Sequence, residues 1–400
     1  MKRIRVGILG ATGLVGRAAC AAILANPRFE LGTLVGSNAS DNTPMEKIWK
    51  KKEAELVQHY GAEFWKPMPF PPALRDYVVE DFPTMLRKKD DDVVLSAVPL
   101  RSGDMEDALL EKGISVFSAS PYRRFDDDVK LIVCEANGHL LNATDRFVKS
   151  PNCCSNGACV SIAPIHKTFG IKELTVTTFQ SISGRGDLKY PKHLVHGNVY
   201  PIGRTEEQTE KFITAEIKKV YRGVGEPFKV SVSSQRVFTQ KNHYLDLRIK
   251  THRRPKDKYE ILDCLKTFSP LAELNAAGCI THNTGGPTPG EGNPIIVTEE
   301  IGTPRPILPD GKSELGMKVM VGQVDLDDIY DVRMAVMVDN IDRGAFGGLL
   351  QSAEVVFNYH RSGIADGRTD VRVEMQQRDK NREAAEYALS YFAMADASST

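Results

Sequence analysis

Three cysteines lie close together in the stretch SPNCCSNGACV, residues 150–160: Cys153, Cys154 and Cys159. A cysteine in such a stretch can act as a nucleophile, a metal ligand or a small buried hydrophobic residue. The spacing lacks the CxxC pair that is typical of zinc sites, and the next histidine, His166, falls inside an apolar helical pattern. The stretch therefore predicts no metal site.

Cys153 stands where a helical pattern begins, directly after Pro151 and Asn152. The free amides and the positive dipole end of a helix lower the pKa of a thiol placed there. Cys154 and Cys159 fall within the helical pattern and are expected to be buried, although Cys153 and Cys154 could instead form a strained vicinal disulfide. Cys153 is therefore the candidate nucleophile.

A cysteine nucleophile also needs a group that accepts and returns protons. His243 ends the stretch QRVFTQKNH and opens an alternating run, and Arg236 lies seven residues before it. If both face one cleft, the guanidinium can hold a carboxylate while the imidazole moves protons. The alternative is an ordinary surface histidine.

The elements that must position these residues begin with a βαβ unit at the start of the chain. The apolar run RIRVGIL at 3–9 leads into GATGLVG, a helical pattern and a second run, FELGTLVG, at 29–36. The glycines Gly10, Gly13 and Gly16 would let the backbone approach a pyrophosphate at the helix N-terminus. The pattern predicts dinucleotide binding; the alternative is a tight packing turn between strand and helix.

The second strand is followed by SNAS, residues 37–40, where an NAD-specific enzyme usually carries an acidic residue. Ser37, Asn38 and Ser40 could instead donate hydrogen bonds to a 2′-phosphate. We therefore expect NADP, while Asp41 keeps NAD open.

The chain divides into two predicted domains and an extension. Alternating runs after residue 170 indicate strands with one buried face, so the second domain should be α+β with a mostly antiparallel sheet. The segment from Trp49 to Leu86 has no clear period and is interpreted as a helix plus a surface excursion. The predicted bounds are 1–152 for a Rossmann-like, NADP-binding α/β domain completed by a helix at about 345–359, 153–344 for a catalytic and dimerisation domain, and 360–400 for the extension.

Composition limits the possible partners. Lysine plus arginine and aspartate plus glutamate both number 52, so no net field attracts nucleic acid or an anionic membrane. The N-terminus has too short an apolar core for a signal peptide, no run reaches the length of a membrane span, and seven cysteines do not form a disulfide framework. A cytoplasmic enzyme acting on a small molecule is expected.

Six motifs resemble, in the same order, those of the aspartate-semialdehyde dehydrogenase family, closest to its archaeal and fungal branch, over residues 4–358. They are GATGLVG, VLSAV, PNCC, TTFQSISGRG, RVFTQKNH and DNIDRGAFGG. The resemblance implies that the protein assembles as a homodimer or homotetramer and that it acts in amino-acid biosynthesis. It further implies NADPH-dependent reduction of β-aspartyl phosphate to aspartate semialdehyde through a cysteine thioester.

The same resemblance implies a role for each matching residue. Cys153 would be the nucleophile, Gln180 would orient it, and His243 would be the acid–base. The substrate would contact Arg236 through its carboxylate and Arg123 and Asn152 through its phosphate, while Asn340 would contact the nicotinamide. Further cofactor contacts are implied at Gly10, Thr12, Gly13, Leu14, Val15, Gly16, Ser37, Asn38, Ser40, Ser96, Ser183 and Gly184.

Departures from the family pattern cluster in the substrate half. Cys154 replaces a serine or threonine, Arg185 an alanine, Phe238 a proline and Asn242 a glycine. Gln208 stands where the family has a phosphate-binding lysine.

Two interpretations of these departures stay open. Glu207 and Lys211, one helical turn apart, fill the amine and phosphate roles, or the site serves another acyl donor such as a coenzyme A ester. A paralogue that binds cofactor without turnover is the alternative from another class.

Overall fold

The computed structural model of this 400-residue chain describes residues 3–186, 189–203, 205, 208–272, 292–306 and 315–358. The strands are β1 Ile4–Leu9, β2 Phe29–Val35, β3 Thr43–Pro44, β4 Val78–Val79, β5 Val93–Ser96, β6 Ser115–Ser118, β7 Lys130–Leu131, β8 Phe147–Lys149, β9 Ile171–Gln180, β10 Val199–Pro201, β11 Lys229–Val237, β12 His243–Thr251, β13 Ile295–Val297, β14 Val319–Leu326 and β15 Val332–Val338. The helices are α1 Leu14–Ala25, α2 Met45–Tyr60, α3 Phe82–Lys88, α4 Asp104–Glu111, α5 Cys134–Asn137, α6 Cys153–Phe169, α7 Lys192–Val195, α8 Thr209–Val220, α9 Lys258–Lys266 and α10 Gly348–Asn358.

Six strands form a parallel sheet in the order β2-β1-β5-β6-β8-β7. The central strands are almost wholly apolar, as in IRVGIL of β1 and VVLS of β5, because helices cover both faces of such a sheet. The glycine turn after β1 opens α1, so the carboxyl ends of β1 and β5 border one crevice. This sheet confirms the predicted Rossmann-like fold.

A second sheet has seven strands in the order β10-β11-β9-β12-β15-β14-β13. Its pairs are antiparallel except β9 with β11 and β13 with β14. β12 alternates strictly between buried and partly exposed residues, which is why the sequence showed a period of two. Helix α6 packs on the buried face with Cys154, Cys159 and Ile162 in its core. The predicted mostly antiparallel sheet is confirmed.

Helix α2 and the loop after it contact both the helix that follows the glycine turn and the second domain, where Lys66 and Gln240 exchange hydrogen bonds. The predicted helix in this segment is confirmed by α2, and the residues that follow it are mostly exposed or half-buried, although Trp65 among them is buried. The guanidinium of Arg17, on α1, donates to the carbonyl of Thr12 over 2.6 Å and to Glu53 of α2 over 2.9 Å. Helix α2 is rich in lysine and glutamate because it buries only one narrow face.

The chain returns to the first sheet near residue 342. A π-helical turn, Asp342–Gly347, leads directly into α10, and Phe346, Leu349 and Ala353 join the core formed by β1, β5 and α1. The predicted division at residue 152 stays a prediction, and residues 360–400 lie outside the described part of the chain. None of the helices within the described ranges is long and apolar enough to cross a membrane.

Candidate active site

Cys153 is the first residue of α6. The side chain of Asn152 caps this helix by accepting the backbone N–H of Cys154 over 2.9 Å. Asparagine is a favoured N-cap because its side-chain oxygen satisfies an amide that has no partner within the helix. The Cys153 sulfur therefore lies at the positive end of a 17-residue helix.

Glu216, on α8, holds the start of α6 in place through hydrogen bonds. Its carboxylate accepts the backbone N–H of Asn152 over 2.8 Å and the hydroxyl of Ser155 over 2.6 Å, and it also pairs with Arg124 over 2.7 Å. Glu216 is fully buried, so the arginine supplies the counter-charge that its burial requires. Sequence reasoning missed both residues, because no motif marks a contact that spans 92 positions.

His243 faces the sulfur from β12. Its Nε2 lies 3.0 Å from Sγ of Cys153, and its Nδ1 accepts the backbone N–H of Ser181 over 3.0 Å. An Nδ1 that accepts an N–H carries no proton, so in the neutral ring the proton is on Nε2. The imidazole therefore donates to the Cys153 sulfur rather than accepting from it. The structure brings the predicted nucleophile and acid–base into direct contact.

Several neighbours favour the thiolate form of Cys153. A hydrogen bond from the Cys154 thiol, followed by the hydrogen bond from His243 and the charge of Arg236, holds the pKa of the Cys153 thiol well below its ordinary value, although burial acts in the opposite direction. Burial and the adjacent Cys153 raise the pKa of Cys154 well above its ordinary value. Cys154 therefore stays a thiol and can donate.

The sulfurs of Cys153 and Cys154 and a ring nitrogen of His243 all lie within 4.8 Å of one another. Such a set could ligate a soft metal ion, so the absence of a metal from the site stays a prediction.

Arg236 and Gln180 lie side by side on the paired strands β11 and β9. Arg236 is buried; its Nη1 donates to the carbonyl of Ser181 over 2.8 Å and its Nε to the hydroxyl of Tyr190 over 3.2 Å. Gln180 is also buried and donates to Thr178 over 3.1 Å. Both predicted residues lie near the carboxyl ends of their strands, next to Ser181, whose backbone N–H donates to His243.

The π-helical turn forms the other wall of the site. A Cβ added to Gly344 would lie 2.4 Å from the Cβ of Cys153, so only glycine fits between this turn and Cys153. Arg343 anchors the turn, since its guanidinium pairs with both carboxylate oxygens of the buried Glu135 and donates to Asn156 over 3.0 Å. π-Helical turns are often found at functional sites.

The cofactor turn has the geometry that a pyrophosphate needs. Gly10 has a φ of +91°, and a Cβ on Gly16 would lie 2.2 Å from the carbonyl oxygen of Gly10. Gly13 precedes α1 without a side-chain cap, so the amides of Leu14 and Val15 in the first turn have no helical partner. At the end of β5 the hydroxyl of Ser96 is buried and unpartnered within the described residues. These features fit a bound dinucleotide.

The other predicted cofactor residues lie in two places, an exposed turn after β2 and the hydrogen-bonded surroundings of Asn340. Ser37 and Asn38 are exposed in a short 3₁₀ turn after β2, together with the half-buried Ser40. Asn340 lies next to Ser181, and its carboxamide accepts the N–H of Asn242 over 2.9 Å and donates to Ser183 over 3.0 Å. Its predicted contact with the nicotinamide stays a prediction.

The predicted phosphate residues are not brought together. Arg123 bonds to Asp107, Asp126 and Asp128, which hold its pKa above the ordinary value despite the opposing effect of burial. It is the neighbouring Arg124 that points to Asn152, through Glu216. Lys211 is exposed in the first turn of α8, and Glu207 lies outside the described residues.

The chain is similar to several known proteins. The family described as semialdehyde dehydrogenase, NAD binding domain, matches residues 5–144. The chain is 27% identical over 372 residues to "Malonyl CoA reductase (NADP)" of Metallosphaera sedula, covering 89% of this chain and 97% of that protein. It is 28% identical over 370 residues to the aspartate-semialdehyde dehydrogenase of Methanothermobacter thermautotrophicus, covering 88% and 99%.

A solved structure of aspartate-semialdehyde dehydrogenase with NADP from Candida albicans shares the fold. Its TM-score is 0.74 at 24% identity, covering 90% of this chain and 100% of that one. These comparisons confirm the resemblance that the six motifs predicted.

Proposed function

From its confirmed resemblance to the aspartate-semialdehyde dehydrogenases, we propose that this oxidoreductase reduces an activated acyl group with NADPH through a thioester on Cys153. The observation that carries the proposal is the 3.0 Å contact between His243 Nε2 and Cys153 Sγ, with Nδ1 held by the Ser181 amide. A thiolate stabilised in this way is the nucleophile that acyl transfer needs.

The residues of the chain divide the work of this reaction. The Cys153 thiolate attacks the acyl carbon and expels phosphate or a thiolate, which leaves a thioester. Bound NADPH would supply the hydride that reduces the thioester carbon. His243, which carries its proton on Nε2, can protonate the oxygen of the thiohemiacetal and take that proton back as the aldehyde forms and the Cys153 thiolate leaves. Gln180 would orient the adduct from the neighbouring strand end.

A direct test is to mix the enzyme with acyl phosphates and acyl-CoA esters, follow NADPH loss, and detect acylated Cys153 by mass spectrometry when NADPH is omitted. Modification of another cysteine, or reduction without modification of Cys153, would contradict the proposal. A paralogue that only binds cofactor would show neither signal.

The acyl donor is β-aspartyl phosphate or another acyl phosphate in the first candidate, and an acyl thioester in the second. Gln208, in a left-handed conformation with φ of +40°, opens α8 with a neutral side chain where the family has lysine. The Metallosphaera relative, by its printed name a malonyl-CoA reductase, favours the second candidate.

Lys211 distinguishes the two donors. If an acyl phosphate is the substrate and Lys211 binds the phosphate, Lys211→Ala should lower kcat/KM with acyl phosphate about ten- to a hundredfold relative to the matching CoA ester, because a charge-assisted contact is lost. Gln208→Lys should then change little. If Lys211→Ala is silent while Gln208→Lys raises activity with acyl phosphate, the thioester is the better candidate.

NADP should bind at least about tenfold more tightly than NAD, a difference of about 1.4 kcal/mol. The hydroxyls of Ser37 and Ser40 and the amide of Asn38 are placed after β2, where the adenosine ribose lies in Rossmann folds. Isothermal titration with both cofactors checks this, and a triple alanine variant of Ser37, Asn38 and Ser40 should reduce the difference. Equal dissociation constants in the unmodified enzyme would contradict it.

We also propose that the enzyme works as a homodimer or homotetramer in the cytoplasm. We further propose that the chain consists of the two predicted domains, 1–152 and 153–344, and the extension 360–400. Sedimentation equilibrium would test the assembly.

A further inference from the structure

Two arginines share one aromatic ring beside the reacting groups. The guanidinium carbon of Arg185 lies 4.8 Å from the centroid of the Tyr190 ring, and that of Arg236 lies 5.1 Å from the same centroid. Tyr190 is buried and fixed, because its backbone N–H donates to the Tyr60 hydroxyl over 2.9 Å. The ring therefore holds both cations in place.

Arg185 is located at the edge of the acyl site. It ends the 3₁₀ turn Ile182–Arg185, and a Cβ added to its neighbour Gly184 would lie 2.8 Å from Nη1 of Arg236 and 3.0 Å from Nε2 of His243. The turn that carries Arg185 thus passes directly over the acid–base. In the family motif a small alanine stands at this position, so the second cation is a property of this chain.

The two guanidinium groups differ in their partners. Arg236 donates to Ser181 and Tyr190, which fix its orientation. Arg185 is half-buried, and no hydrogen bond or ion pair reaches its guanidinium from any residue that the structure describes. A partly desolvated cation without a protein counter-ion favours an anionic ligand.

We propose that Arg185 and Arg236 together bind a terminal carboxylate of the acyl group, and that the substrate is the monoacyl derivative of a dicarboxylic acid without an ammonium group beside that carboxylate. The planar guanidinium matches a carboxylate with two parallel hydrogen bonds. A second cation at this place repels an ammonium group on the adjacent carbon, so it selects against an aminoacyl substrate such as β-aspartyl. The inference rests on the proposed reaction at Cys153.

The experiment compares matched acyl groups in the Arg185→Ala variant. Succinyl-CoA and butyryl-CoA differ in the terminal carboxylate, and succinyl phosphate and butyryl phosphate repeat the comparison with another leaving group. The succinyl-to-butyryl ratio of kcat/KM should fall about ten- to a hundredfold in the variant with either leaving group. The ratio of succinyl phosphate to β-aspartyl phosphate should fall as well. Arg253→Ala removes an arginine that lies over Phe169, outside the site, and should leave all ratios unchanged.

Two kinetic results would overturn the inference. Unchanged succinyl-to-butyryl ratios of kcat/KM in Arg185→Ala would show that Arg185 does not bind the terminal carboxylate of the acyl group. An equal loss with both acyl phosphates, but not with the CoA esters, would place the leaving phosphate on Arg185 instead.

A binding measurement separates this inference from the proposed reaction. Succinate should protect Cys153 from alkylation in the unmodified and Arg253→Ala proteins and fail to protect it in Arg185→Ala, even if no acyl donor is reduced. Protection that is equal in all three proteins, or absent from all, would overturn the carboxylate site. Protection lost only in Arg185→Ala, without turnover of any donor, would overturn the proposed function alone.

Discussion

Cys153→Ser should abolish turnover, with a loss on the order of 10³-fold or more, and leave NADPH binding nearly unchanged. The hydroxyl of serine is far less acidic than a thiol, so the helix N-terminus and His243 cannot convert it to an anion at neutral pH. The cofactor turn after β1 is formed by other elements and should keep its geometry. NADPH oxidation and NADPH titration measure the two halves of this prediction.

Cys154→Ser is the matched control. Its side chain is buried next to the nucleophile, and a hydroxyl there can still donate a hydrogen bond to the Cys153 sulfur. This variant should therefore keep substantial activity. If Cys154→Ser is the inactive variant and Cys153→Ser is active, the nucleophile is misassigned.

His243→Ala should lower kcat/KM by about 10²- to 10⁴-fold, because one group both stabilises the thiolate and moves protons. It should also raise the pKa of the Cys153 thiol, since the Nε2–H donated to the sulfur is lost. A thiol reacts with iodoacetamide only as the thiolate, so the lowered pKa keeps alkylation fast as the pH falls. In His243→Ala the alkylation profile should move to higher pH.

His252→Ala provides the comparison, because His252 is an exposed histidine at the far end of β12. It should change neither kcat/KM nor the pH profile of alkylation. A His243→Ala enzyme with an unshifted profile would mean that the 3.0 Å contact does not control the thiolate.

The sequence predicted the cysteine, the histidine and the two sheets because each carries a local signal. Cys153 follows a helix-start pattern, and β12 shows strict alternation. Even the departure at Asn242 has a local reason: its φ of +69° is one that asparagine, like glycine, tolerates. Phe238, in place of proline, stacks on Phe64 with ring centroids 3.9 Å apart.

Contacts between distant segments could not be predicted in this way. Arg123 and Arg124 are adjacent and chemically identical, and only the positions of Asp107 and Glu216 decide which of them turns toward the start of α6. The role of α2 was hidden for the same reason, since Glu53 becomes a buried partner only when Arg17 is beside it. Such pairs are determined by tertiary packing, which no local pattern contains.

The contact between Gly344 and Cys153 also limits how the enzyme can be redesigned. On that side Cys153 meets main chain rather than a side chain, so no substitution can widen the pocket there. Any residue larger than glycine would push the Cys153 Cβ from its position. Mutational libraries aimed at a new acyl group should therefore leave residues 342–347 untouched and vary the opposite wall. On that wall Arg185 can be exchanged without breaking a hydrogen bond within the described part of the chain, whereas exchange of Tyr190 would remove the hydroxyl that accepts from Arg236.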